Sequence, residues 1–192
     1  MAKIKAGDDK DRRLVEVIYH EFMLAELAFH RFLKAAEDKR LQGSTYERKL
    51  AVYNSYAEMV CRLYEFYMAA FKRDQGSTEL SWEIADLMLT EEAQKYFDNT
   101  KERILRGIHL PEDNDVSYYD YKVPIEFGKH MRDIRNNHHH SDYRRVSGSR
   151  PSLKAFFDGY HMSLVGLLRQ GGYWSRGNLG DRRLTHVDEF EI

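Results

Sequence analysis

Residues 46–71 read YERKLAVYNSYAEMVCRLYEFYMAAF. Tyr46, Leu50, Tyr53, Ala57, Val60, Tyr64, Tyr67 and Phe71 recur in steps of four and three. That spacing puts side chains on one face of an α-helix, and here it lasts for about seven turns. The tyrosines on this stripe read as core residues whose hydroxyls lie near the edge. Ahead of the stripe, Ser44 and Glu47 are three apart and fit a capping box. Lys72 and Arg73 suit the negative C-terminal end, and Gly76 follows.

Working back from this helix, Leu14, Ile18, Phe22, Ala25, Phe29 and Phe32 mark a second long helix over 11–40. Asp8, Asp9 and Asp11 favour its N-terminal end and Gly43 can stop it. A short turn joins the two helices, so they should pack antiparallel. Working forward, 77–107 reads as shorter helical pieces, one capped by Ser81 and the next by Thr90. Residues 108–123 lose periodicity and read as a long loop, its Tyr118, Tyr119 and Tyr121 either packed on the bundle or stacked on bases. Pro124 suits the first turn of a helix whose apolar face is Ile125, Phe127 or Gly128, Met131 and Ile134. Residues 141–150 form a basic loop, and Pro151 starts a last core helix ending at Gly171-Gly172.

The expected fold is therefore all-α: an antiparallel bundle with four main helices, shorter helices and a long loop. One domain spans 1–192, with a frayed N-terminus over 1–9 and a C-terminal tail over 173–192. The formal net charge is -1, so any nucleic-acid binding must come from a local patch. Cys61 is the single cysteine and reads as a buried helical thiol. There is no long apolar run and no signal-peptide core, so the expected protein is cytoplasmic with no membrane contact.

The chemistry concentrates in Arg135-Asn136-Asn137-His138-His139-His140 at the end of a helix. With 18 arginines and 9 histidines, an Arg followed by a His after four to six intervening residues arises by chance about 2.5 times. Requiring Asn right after the Arg, and His at the fifth place, lowers that to about 0.03. Only Arg135-Asn136-x-x-x-His140 meets it. Between Lys129 and Arg150 the balance is +4 before any histidine is protonated. Such a patch attracts a phosphate backbone, and a solvated basic loop at a helix C-terminus is the plainer use.

The residue types suit RNA cleavage. The 2′-hydroxyl of RNA can attack the adjacent phosphorus without a metal. A histidine titrating near neutrality can move the protons. A permanently charged guanidinium can grip two phosphate oxygens. Arg135 and His140 are the candidate catalytic pair, with Asn136 in support. Arg132, His138, His139, Tyr143, Arg144 and Arg145 are candidate RNA contacts. Consecutive helical histidines point about 100° apart, so 138–140 cannot share one ion as a helix. Glu16/His20, Glu26/His30 and Glu126/His130 are four apart, where a di-iron bundle wants three. They read as surface ion pairs. No metal and no other cofactor is expected.

Arg-Asn-x-x-x-His at a helix end, before the last core helix of a bundle, resembles the HEPN superfamily. The resemblance rests on Arg135, Asn136 and His140. It implies a metal-independent ribonuclease working as a homodimer with two facing motifs, releasing 2′,3′-cyclic phosphate and 5′-hydroxyl ends. It also implies a setting in toxin–antitoxin, antiphage or CRISPR-associated systems or in RNA processing, with an antitoxin or regulatory protein as partner. One toxin subgroup has tyrosine two residues after the histidine, where this chain has Asp142, with Tyr143 next. A non-catalytic helical module that binds RNA or protein is the other reading the sequence allows.

Overall fold

The computed structural model describes residues 3–139, 152–178 and 187. Among these it is all-α, 79% helical with no strand, and its helices pack on one another as a bundle. The elements are α1 (Asp9–Gln42), α2 (Tyr46–Asp74), α3 (Trp82–Leu105), a 3-10 turn (Val116–Asp120), α4 (Phe127–His139) and α5 (Leu153–Asn178). α1 and α2 form the expected antiparallel hairpin. From Ser55 to Phe71, α2 is buried nearly all round, with Leu63, Met59, Val60 and Phe66 at or near zero exposure. Each such side chain contributes about 1.5–3 kcal/mol when taken from water. The second half of α2 is thus the central post, and α1, α3, α4 and α5 contact it.

Several boundaries differ from the sequence reading, each for a physical reason. Ahead of α1, Ile4 N donates to Gly76 O at 2.8 Å, and Lys3 bridges to Ser77. Asp8 caps α1, accepting from Asp11 N. Thr45, not Ser44, caps α2. Tyr46, Leu50 and Tyr53 are exposed, because the first turns of α2 extend past the helices that bury the rest of its stripe. The four long helices are α1, α2, α3 and α5, and the helix bearing the motif is the short one.

α3 runs unbroken through Thr90, where two pieces were expected. The Thr90 hydroxyl bonds back to Asp86 O at 3.0 Å, and its oxygen accepts from Gly128 N at 3.2 Å. Thr90 therefore caps another helix, α4, from across the interface. α4 begins at Phe127, after Pro124, whose carbonyl accepts from Phe127 N at 3.0 Å. α5 passes through Gly171-Gly172 without stopping. A Cβ on Gly171 would lie 2.8 Å from the Phe22 ring and 2.9 Å from the Phe66 ring, so the small residue serves packing here. In the 108–123 segment, Tyr119 is buried and Tyr121 reaches Ser163 at 3.1 Å, so both pack on the bundle while Tyr118 stays exposed.

Candidate functional site

The site is built on α4. Phe127, Met131 and Ile134 are buried at steps of four and three, which fixes the face α4 turns to the core. Gly128 lets it approach α3 closely: a Cβ there would fall 1.9 Å from Asp86 O. With that face inward, the arginines at 132 and 135 project sideways toward different helices.

Arg132 is held by α3. Nε donates to Asp86 Oδ1 at 3.0 Å and Nη2 to Oδ2 at 2.9 Å, and the guanidinium lies 4.7 Å from the Trp82 ring centroid. Both members of the pair are largely buried. Arg135 is held by α2. Nε donates to Glu65 Oε1 at 2.6 Å, and Nη2 sits 2.5 Å from the same oxygen. Nη1 donates to Asn136 Oδ1 at 3.1 Å, and the guanidinium is 5.9 Å from the Tyr64 ring centroid. Since each Nη carries two hydrogens, these contacts leave one N–H on each for a further acceptor.

Asn136 is thus joined to Arg135, while Asn137 and His138 turn toward a cleft. The His138 ring centroid is 6.5 Å from that of Tyr53. His139 is the last residue of α4. His140, Tyr143, Arg144 and Arg145 lie outside the described residues, as does the whole basic loop over 141–150. Two of the cations counted in the +4 stretch face carboxylates from distant sequence, which lowers the net positive charge around α4.

Other titratable groups near α4 are accounted for by packing. His130 Nδ1 lies 2.7 Å from the Tyr160 hydroxyl, so this ring meets α5 instead of forming the expected pair with Glu126. Burial pushes the Cys61 thiol up to about 12, with Arg135 pulling weakly the other way. A thiol so far above neutrality is not a thiolate nucleophile. Among the described residues no three His, Cys, Asp or Glu side chains gather as a metal site.

The cleft beside His138 has a volume of about 610 Å³ and lies between the ends of α1, α2, α4 and α5. Phe32, Tyr56 and Phe157 form its floor, and Lys39, Lys49 and Lys154 stand at its rim.

Glu65, Asp86, Tyr64 and Trp82 were not legible as site residues. For Glu65 a signal existed: Glu58, Arg62 and Glu65 are the charged residues in the otherwise buried 55–71 stretch. Glu58 meets Arg31 and Arg62 meets Glu21, so each of the three reaches another helix.

The fold places the chain among all-α helical bundles. No protein-family profile matches it, and no curated protein or solved structure matches it.

Proposed function

We propose that the chain is a metal-independent endoribonuclease of the HEPN type, acting as a homodimer in a defence or toxin–antitoxin setting. In this reading one His140 takes the 2′-hydroxyl proton and the 2′-oxygen attacks phosphorus. The bond from phosphorus to the 5′-oxygen breaks, and that oxygen takes a proton from the twin His140. Arg135 stabilises the charge on the phosphorane, and a 2′,3′-cyclic phosphate remains.

The observation that carries the reading is the linked pair Arg135–Asn136 on the last turns of α4, five residues before His140. Glu65 fixes the guanidinium on one edge, and an N–H on each Nη remains for phosphate oxygens. Fixed donors stabilise a transition state better than mobile ones.

Incubation with total RNA in chelator, with mapping of end groups, tests it. The expected result is cleavage leaving cyclic phosphate and 5′-hydroxyl ends, lost in Arg135→Ala and His140→Ala while both stay folded and dimeric. Wild type that cuts no RNA, or cuts only with added metal, overturns it.

One observation favours a second reading, a non-catalytic helical module that binds RNA or protein. Arg132 and Arg135 both pair with carboxylates of other helices, as structural arginines do. Under that reading Arg135→Ala changes stability and no cleavage exists to lose.

A further inference from the structure

The cleft carries chemistry that the catalytic pair does not use. Its floor is a packed aromatic cluster, with Phe32 and Tyr56 ring centroids 5.0 Å apart and Tyr56 and Phe157 5.1 Å apart. Tyr53 stands on its wall, 44% exposed, with its ring 6.5 Å from that of His138. Its rim is cationic, and among the described residues no Asp or Glu lines it. In a chain of net charge -1 that lining is strongly one-sided. Lys154 is engaged by Asp158 at 2.6 Å, which leaves Lys39 of α1 and Lys49 of α2 as the main charges.

The combination selects a ligand. A volume of about 610 Å³ falls within the usual range for small-ligand sites. A flat aromatic ligand stacks on tyrosine, and ammonium groups hold phosphate. A fatty-acid carboxylate would use the floor and the lysines but not the half-exposed ring of Tyr53. His138, in the cleft wall, is three residues from Arg135, a separation of about 5–6 Å between Cβ atoms on a helix.

We infer that this cleft takes one base of a single-stranded RNA, stacked on Tyr53, with the adjoining phosphate held by Lys39 and Lys49. The choice of RNA rests on the ribonuclease reading. The cleft gives that reading a place where the strand is held, about one helical turn along α4 from Arg135.

The test is binding of a single-stranded hexamer methylated at every 2′-oxygen, which cannot supply the attacking hydroxyl. Fluorescence anisotropy with the full-length protein, over a series of salt concentrations, reads affinity without cleavage. The double variant Lys39→Ala/Lys49→Ala is expected to weaken binding at least tenfold. It should also flatten the slope of log affinity against log salt by about 0.7, for one lost single-strand phosphate contact. Tyr53→Ala is expected to weaken binding about tenfold with the slope unchanged. Lys10→Ala, at the far end of α1, should change neither. Unchanged affinity in the double variant and in Tyr53→Ala overturns the inference, as does an equal slope change in Lys10→Ala. Binding of dodecanoate without binding of the hexamer also overturns it. Cleavage of unmodified RNA by the same preparations separates the two claims. Cleft-dependent binding without cutting ends the ribonuclease reading alone, and cutting that ignores the cleft variants ends the cleft inference alone.

Discussion

Arg135 and Glu65 meet across the α2–α4 contact, with Nε donating to Oε1 at 2.6 Å. The side chains are 31% and 33% exposed, so the pair contributes no more than about 1 kcal/mol to stability. Its larger effect is to hold the guanidinium in one orientation. Glu65→Gln should therefore unfold within about 1 kcal/mol of wild type in urea. Under the proposed ribonuclease reading, RNA cleavage should fall about tenfold or more, as a misplaced catalytic group causes. Urea melts and initial cleavage rates on the same samples check both halves; unchanged cleavage would remove Glu65 from the site.

Gly128→Ala should be severely destabilising. Its new methyl would meet the Asp86 carbonyl at 1.9 Å, and backbone cannot rotate away as a side chain can. Separating α3 from α4 also strains the Arg132–Asp86 pair, and about 3 kcal/mol or more is expected. Chemical denaturation measures this, and a loss below 1 kcal/mol would contradict so close a crossing.

Cys61 should resist thiol reagents in the folded protein. Burial lifts its thiol to about 12, so almost no thiolate exists at pH 8. Labelling with an aromatic disulfide should be slow in buffer and rapid in guanidinium. Rapid labelling under native conditions would mean that α2 opens locally.

His161 should make stability depend on pH. It lies 3.3 Å from the Tyr56 hydroxyl and stacks on Phe157, and burial holds its pKa below the ordinary value of 6.5. The unfolded chain thus binds the proton more readily. The contribution is full above about pH 6.5 and is lost as pH falls through the depressed folded value. Urea midpoints should fall between pH 7.5 and pH 5.5, and less so in His161→Gln. Equal pH dependence in the variant would assign the effect to other histidines.

The helical class, the α1–α2 hairpin and the placement of Arg135 at the end of a helix were all legible from spacing. Spacing reports which face of a helix is apolar, not what covers it. Tyr46, Leu50 and Tyr53 continue the stripe of α2 and yet stay exposed. Thr90 and Gly171 have the chemistry of helix ends, but their partners, Gly128 and the rings of Phe22 and Phe66, lie far away in sequence. The same limit hid Glu65 and Asp86. An arginine's need for a counter-charge is evident from sequence, but the helix that answers it is not. Of the candidate pair, Arg135 has a described position, and His140 lies outside the described residues.

Arg132 and Arg135 grip carboxylates on two different helices from positions three apart on a short one. The rotation of α4 about its own axis is thereby fixed from both flanks. A slip of one residue would turn it by about 100° and break both grips together. The angular setting of its last turn is therefore inherited from α2 and α3. Any residue presented there points where the two longer helices direct it, so substitutions at Asp86 or Glu65 act on the end of α4 without touching it.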